Sequence, residues 1–278
     1  GAELTPLSCA YLRARGADPS SSFGDFIGLS DEVDEATADV LTKVVSDGVI
    51  APAYAPRALE KLKGKKDGKF IVLKAARGVT LPEMESREVH GIVLRQSSNI
   101  RKINEKDLSD IVTRKIELTP SARRDLLLGL ITLKYTQSNS TGYALGGQMI
   151  GIGAGQQSRV DCTKLAGRKA DVWHMRLHPK VLGLRFRPEV KRQERINWRL
   201  RYVEGDMTAE EEKVFFDILS KRPEALTPAE RSEWMTGLTG VSFVSDAFLP
   251  FRDNIDHAVR HGVKFIAQTG GSARDEEV

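Results

Sequence analysis

A chain of 278 residues, with 42 lysines and arginines against 38 aspartates and glutamates and a pI near 9.0, exceeds what one small core serves. It predicts two compact units or one large α/β domain. No apolar run approaches the roughly 20 residues that span a bilayer, and the net charge of +4, mixed in sign along the chain, fits small anionic molecules better than a nucleic-acid surface.

Cys9 and Cys162 lie far apart in no metal-ligand spacing, and Gly1-Ala-Glu-Leu-Thr lacks the charged head and apolar stretch of a signal peptide. A reducing compartment is expected, the cytosol by default.

Thr5-Pro6 marks a helix running to Arg15 and stopped at Gly16. Phe26 to Leu29 reads as a strand, Asp34 as the cap of a helix over Glu35 to Val45, and Ser46-Asp47-Gly48 as its break. Pro56 to Lys63 is helical with Gly64 as its stop, and Phe70 to Leu73 is a strand. Alternating strands and helices predict an α/β layer with a largely parallel sheet. Gly, Pro and charge from Gly78 to Glu85 mark a boundary. Beyond it come a strand over Glu88 to Leu94 and a charged stretch from Arg101 to Lys115. A helix then starts at Thr119-Pro120, with Leu126, Leu127, Leu130, Ile131 and Leu133 on one wide buried face.

That helix delivers a run from Lys134 to Cys162 crowded with amides, hydroxyls and glycines. Tyr143 to Ala144 and Gln148 to Ile152 form a hairpin about Leu145-Gly146-Gly147, and a glycine loop leads into a helix from about Gln157 to Leu177. The loop resembles a phosphate cradle, but Gly151-x-Gly153-x-x-Gln156 lacks the third glycine of the dinucleotide fingerprint, and no Gly-Lys-Ser/Thr follows. Asn139 can donate and accept at once, so it suits a carboxamide or amine; Arg159 suits phosphate or carboxylate. Either could instead satisfy loop backbone.

Residues 179–238 read as helical and charged, with a start at Thr227-Pro228. The α/β rhythm then resumes with a strand over Val241 to Val244, a helix over Asp253 to His261, a strand over Val263 to Ala267, and Gly270-Gly271-Ser272 turning into a further helix. Ser245 to Asn254 lies after a strand and before a helix, where open α/β sheets hold ligands. Phe248 and Phe251 either wall a flat heterocycle or belong to the core with Asp253 as a cap. His174/His178 and His257/His261 have helical spacing but no Glu or Cys partner at ligand spacing, so no zinc is expected. The basic run Arg185 to Arg201 carries Trp198, Leu200 and Val203, which predicts one packed and one solvated face rather than a nucleic-acid surface.

Five stretches together carry a family resemblance. Ser22-Phe-Gly-Asp-Phe26, Val45-Ser-Asp-Gly-Val-Ile-Ala-Pro52, Lys134-Tyr-Thr-Gln-Ser-Asn-Ser140, Ile150-Gly-Ile-Gly-Ala-Gly-Gln-Gln-Ser-Arg159 and Ser245-Asp-Ala-Phe-Leu-Pro-Phe-Arg-Asp-Asn254 resemble the AICAR transformylase part of the bifunctional purine-biosynthesis proteins, whose other half is an IMP cyclohydrolase. The resemblance implies formyl transfer from 10-formyltetrahydrofolate to the amine of AICAR, an aminoimidazole carboxamide ribonucleotide. It implies that Asn139 holds the substrate beside the reacting amine and that Gly24, Asp47, Arg159 and Phe248 line the AICAR site. Val160, Asn197, Asp253, Ser272 and Ala273 fall on the folate side. Family members can hold a potassium ion near the polar run, for which Thr136, Ser138, Ser140 and Asp246 supply oxygens.

The resemblance implies two intertwined cytidine-deaminase-like α/β/α layers with a mostly helical insertion. One unit would be 1–82 with 177–239, the other 83–176 with 240–278. It also implies a homodimer whose sites use both subunits, with AICAR and folate as ligands and neither nucleic acid nor membrane as partner. The family's Lys-His dipeptide, which supplies the base, is expected upstream of Leu4, its Arg-Leu-Phe-His-His beyond Val278, and the cyclohydrolase half elsewhere. The alternative is a catalytically incomplete module that binds nucleotide or folate.

Overall fold

Helix starts follow the capping side chains closely in the computed structural model, which describes residues 3–76, 78–114 and 117–278. Gly1, Ala2 and Lys115 of the segments read above lie outside them. Helix α1 (Pro6–Gly16) starts on Thr5, whose hydroxyl accepts from the Ser8 N–H, with proline in the first turn. After strand β1 (Asp25–Gly28), helix α2 (Glu35–Thr42) starts on Asp34, which accepts from the Thr37 N–H at 2.7 Å. Strand β2 (Ser46–Ala51), helix α3 (Pro56–Lys63) and strand β3 (Ile71–Lys74) complete a three-stranded parallel sheet in the order β1-β2-β3. Ser46-Asp47-Gly48, expected as a simple break, instead opens β2. Gly48 fits because a Cβ there would collide with the Phe26 ring one strand away. Ile27, Val49, Leu41 and Leu62 form the core beneath the sheet.

The strand expected over Glu88 to Leu94 is folded in half. Strands β4 (Met84–Val89) and β5 (Ile92–Ser97) pair antiparallel about His90-Gly91, whose φ values of 51° and 77° give the two left-handed residues that a tight hairpin turn needs. Every residue of both strands is exposed.

Helix α4 (Pro120–Lys134) starts on Thr119 and buries Ala122, Asp125, Leu126, Gly129 and Leu133. Its apolar face is narrower than expected, since Ile131 is 43% exposed. Strands β6 (Ser140–Leu145) and β7 (Gln148–Ala154) turn at Gly146-Gly147, where the Asp125 carboxylate accepts both backbone N–H groups at 2.8 and 2.7 Å. Helix α5 (Arg159–Met175) starts on Ser158. It lies against the hairpin so closely that a Cβ on Gly151 or Gly153 would overlap the Ala166 or Cys162 carbonyl oxygen. Tyr143 reaches the α5 side, its hydroxyl donating to the Thr163 carbonyl at 3.1 Å, whereas Gly142 faces Leu133 of α4. The hairpin is therefore covered on both faces.

Helices α6 (Pro179–Leu182), α7 (Arg192–Glu204), α8 (Ala209–Asp217) and α9 (Pro228–Met235) follow, the last two opened by Thr208–Glu211 and Thr227–Glu230 capping boxes. They share a core of Val181, Tyr202, Val203, Phe215 and Leu219 that includes Met175 of α5, and the Trp234 indole donates to the His174 carbonyl at 3.1 Å. Several cations of the basic run act within the chain. Arg195 donates to the Val190, Arg187 and Pro188 carbonyls, Arg201 pairs with Glu211, and Arg199 lies 5.0 Å over the Phe186 ring.

Strand β8 (Val241–Ser245), helix α10 (Asp253–Ala258) and strand β9 (Val263–Ala267) return the chain to the hairpin's sheet, in the order β7-β6-β8-β9. β6 and β8 are antiparallel, β8 and β9 parallel. Gly270-Gly271-Ser272 does not open a helix. The Asp275 carboxylate accepts the Gly271 and Ser272 N–H groups at 2.7 and 3.0 Å and closes a turn instead. No described helix is long and apolar enough to cross a membrane.

Candidate functional site

The first part of the polar run, Lys134 to Asn139, meets the start of β6 beside the C-terminal end of β8 and the first turn of α5. The backbone gathers there first: Asp246 N–H donates to the Ser140 carbonyl at 3.1 Å, and Gly155 N–H to the Gln137 and Asn139 carbonyls at 2.9 and 2.8 Å. Into that corner α5 projects Arg159. Its guanidinium donates to Asn139 Oδ1 at 2.8 Å and Ser245 Oγ at 3.0 Å, and pairs with Asp246. Asn139 in turn donates through Nδ2 to the Gln156 and Gln157 carbonyls at 3.1 and 3.2 Å. Both ends of its amide are thus engaged with the loop and Arg159, as the bland sequence reading allowed. Three of the five guanidinium N–H donors are used in these contacts, and the side chain is 9% exposed.

Burial alone would raise the Asp246 carboxyl. The hydrogen bonds from Ser138 and Arg159 outweigh it and hold the group below the ordinary carboxylate range. Asp246 is therefore an anion that fixes Arg159, not a proton acceptor. The Cys162 thiol donates to the Asn139 carbonyl at 3.0 Å, and burial pushes its pKa up, so it stays a neutral donor. Thr136 Oγ1 donates to Ser140 Oγ at 2.7 Å. Ser138 is directed at Asp246, so the four oxygens named for potassium lie in hydrogen-bonded pairs, Thr136 with Ser140 and Ser138 with Asp246, and Asp246 also holds Arg159.

Gly24 and Asp47 belong to a second cluster, at the N-terminal ends of β1 and β2. Gly24, at φ 70°, donates its N–H to the Val45 carbonyl at 3.2 Å, and a Cβ there would stand 3.7 Å from Asp47 Oδ2. Arg15 braces the same corner, donating to the Val45 carbonyl at 3.2 Å and to Asp25 at 2.8 Å. Among the described residues no hydrogen bond, ion pair or ring contact joins this cluster to Asn139 or Arg159.

Sequence reasoning missed two lysines here. Lys66 pairs with Asp47 from a turn in which Lys66 and Asp67 have φ of 54° and 53°, a left-handed conformation that costs non-glycine residues about 1 kcal/mol or more each. Lys65 Nζ donates to Ser46 Oγ at 2.6 Å and the Leu41 carbonyl at 2.8 Å, over the Phe70 ring. Burial, helped by the Lys66 charge, brings its pKa down to about 8. The dense Lys63-Gly-Lys-Lys-Asp-Gly-Lys69 signal was present in the sequence, but its direction was not.

Phe248 and Phe251 are 42% and 51% exposed, so neither is core. Leu249 between them is buried and holds the loop, its N–H donating to Gln268 Oε1 at 2.5 Å. Asp253 does not cap α10; it accepts from Asn254 Nδ2 at 2.8 Å. Asn254 Oδ1 receives the Thr163 hydroxyl at 3.1 Å, tying α10 to α5 one turn beyond Arg159 and Val160. Arg274 lies 5.3 Å over the Phe251 ring, bringing the Ser272-Ala273 turn to the same loop. Asn197 stands on α7, where its amide oxygen accepts from Gln193, and no described hydrogen bond, ion pair or ring contact joins it to the others.

The histidine pairs have local partners: His174 contacts the Trp234 carbonyl, His178 accepts from the Lys180 N–H, and His261 Nδ1 lies 2.7 Å from Asp171. Among the described residues no group of three His, Cys, Asp or Glu is placed to hold a metal.

Residues 1–169 match the family model described as AICARFT/IMPCHase bienzyme. The chain is 30% identical over 273 residues to the bifunctional purine biosynthesis protein PurH of Magnetococcus marinus, covering 98% of this chain and 41% of that protein. It is 30% identical over 276 residues to the protein of the same name from Sorangium cellulosum, covering 98% and 40%. The chain thus spans about two-fifths of the length of these curated relatives.

Proposed function

Because the chain belongs to the AICARFT/IMPCHase bienzyme family, we propose that it provides the formyl-transfer part of a bifunctional purine-biosynthesis enzyme. It would act on AICAR with 10-formyltetrahydrofolate as cosubstrate, in the cytosol, within a longer protein that also closes the ring as IMP cyclohydrolase. In this reaction the AICAR amine attacks the formyl carbon. A new C–N bond forms, the bond from formyl carbon to the folate nitrogen breaks, and the proton lost by the amine balances the one gained by that nitrogen.

The observation that carries the reading is the Arg159 guanidinium, fixed by Asn139, Ser245 and Asp246 with donors to spare. An amine conjugated to a carboxamide-bearing ring is a weak nucleophile, so orientation and stabilisation of the developing formyl oxyanion matter most. Arg159 supplies the positive charge for the oxyanion, Asn139 Oδ1 keeps an acceptor lone pair to orient the amine, and Phe248 supplies an exposed ring as a wall. Val160, Asp253, Ser272 and Ala273, gathered around α10, favour a folate side there, with Asn197 contributed from α7. A potassium ion on the Thr136, Ser138, Ser140 and Asp246 oxygens stays part of the proposal, and no step is routed through it.

Two further elements belong to the proposal. Gly24 and Asp47 form a cluster apart from Asn139, which favours a homodimer in which each AICAR site draws one cluster from each subunit. The unit of 83–176 with 240–278 draws support from the β7-β6-β8-β9 sheet, which joins strands from both its parts, and 1–82 with 177–239 is proposed as the other unit. The inward use of Arg195, Arg199 and Arg201 supports leaving nucleic acid out of the partners.

Calorimetric titration of AICAR tests the reading. Arg159→Gln and Asn139→Ala are each expected to weaken binding on the order of tenfold, the loss of one or two hydrogen bonds to a charged or polar ligand. Unchanged affinity in both variants would sink it. A second reading is favoured by the absence, among the described residues around Asn139, of a side chain suited to take the amine proton: Asp246 is neutralised by Arg159, and Cys162 is a neutral donor. On that reading the 278-residue chain binds AICAR without turnover. A formyl-transfer assay of the chain alone separates the two.

A further inference from the structure

A cleft of about 160 Å³ lies between the loop after α1, the C-terminal half of α5 and the end of α7, away from both clusters described above. Its charged walls are unevenly paired. Lys169 Nζ meets Asp18 at 2.6 Å, and Arg168 meets Glu204 at 2.6 Å. Arg176, the third cation on the wall, has no carboxylate within ion-pair distance among the described residues. Its one hydrogen bond runs to the Gly16 carbonyl at 2.7 Å, at the last turn of α1.

The charge of Asp18 acts on Arg176, but its oxygens are already taken by Lys169, the Ser21 N–H at 3.1 Å and the Ser21 hydroxyl at 2.8 Å. Burial draws the Arg176 pKa below the ordinary arginine value, with Asp18 opposing. A guanidinium has five N–H donors, and only one is bonded here. None of its nitrogens is a fully buried atom left without a partner, and Arg176 is one of the residues that line the cleft. A partly buried guanidinium whose side-chain acceptor is a neutral carbonyl has donors left for a compact oxyanion, which accepts bidentate, charge-assisted bonds. Trp173 closes one side of the cleft.

We infer that the Arg176 cleft is a binding site for a phosphate group, held by Arg176 and drawn in by Lys169 and Arg168. The phosphate could be free or carried on a nucleotide. The test titrates the whole chain with inorganic phosphate at constant ionic strength, reading Trp173 fluorescence and calorimetric heat, with adenosine monophosphate as a second ligand.

Wild type is expected to saturate with a fluorescence change that Trp173→Phe abolishes while leaving the calorimetric affinity within about threefold. Arg176→Gln, folded by circular dichroism, should weaken phosphate at least tenfold, and Arg176→Lys by less. Should Arg176→Gln fail to fold, Lys169→Gln, which leaves the Gly16 bond intact, should weaken it at least threefold. Tighter adenosine monophosphate with the same Arg176 dependence assigns the cleft to a nucleotide phosphate; equal or weaker binding assigns it to the free ion. Absence of saturable binding in wild type overturns the inference, as does an affinity unmoved in folded Arg176→Gln or, where that variant does not fold, in Lys169→Gln.

Discussion

The two larger sheets solve burial differently. The four-stranded sheet has α5 on one face and α4 on the other, and β6 and β8 are buried almost throughout. The three-stranded sheet buries Ile27 and Val49 on one face but leaves Phe26, Ile71 and Leu73 at 47%, 50% and 45% exposure on the other. Parallel sheets are usually covered on both faces, so the second sheet carries an apolar surface that the described residues do not cover. The Asn139–Arg159 cluster sits at the rim of the covered sheet, where rigid packing can fix a guanidinium. The Gly24–Asp47 cluster sits at the rim of the open one.

This contrast can be broken most forcefully at Gly151. Gly151→Ala pushes a methyl into the α5 backbone at Ala166 and Ala170, and a loss of about 3 kcal/mol or more in urea unfolding is expected. A loss under about 1 kcal/mol would mean that α5 does not press on the hairpin as described. Next is Asp125→Ala, which strips the Gly146 and Gly147 N–H groups of their acceptor; about 2–3 kcal/mol should be lost, and Asp125→Asn should lose less.

On the open sheet the effects are smaller and depend on pH. Lys65 has a folded pKa of about 8, below its ordinary value of 10.5. Between those values the unfolded chain holds the proton and the folded one does not, so this group's contribution to stability rises as pH rises from about 8 toward 10.5. Melting temperatures of Lys65→Met and wild type, compared across that window, should show wild type gaining relative to the variant; an opposite or flat difference refutes the assignment. The smallest effect is expected at Ile71→Thr or Ile92→Thr. Each side chain is at least half exposed in the single chain, so dilute unfolding should shift by no more than about 0.5 kcal/mol. A loss growing with protein concentration would show that these surfaces are covered by another copy.

What the sequence disclosed follows the range of the interactions. Thr5, Asp34, Thr119 and Thr227 start helices as read because capping joins residues three apart. The His90-Gly91 turn escaped because a left-handed histidine is uncommon, and the turn over Asp275 because a carboxylate downstream competed with helix formation. In the candidate site, Asn139 and Arg159 were legible as residue types suited to polar ligands. Their bond to each other was not, nor was the role of Ser245 and Asp246, which stand 86 and 87 positions from Arg159. Lys66 was hidden for the same reason, since Asp47 meets it only after β2 and β3 are in place.

The pairing of β6 with β8 has a kinetic consequence. Thr141 pairs with Ser245 and Ala144 with Ser242, so the sheet closes only after the whole of α5 to α9 has been made and its ends have met. Closing so long a loop adds little entropy beyond a shorter one, but such non-local contacts slow folding. Arg159 can find Ser245 and Asp246 only at that stage. A chain stopped before Val241 would therefore carry the polar run with Asn139 as a partner for its guanidinium but without the Ser245 hydroxyl and the Asp246 carboxylate.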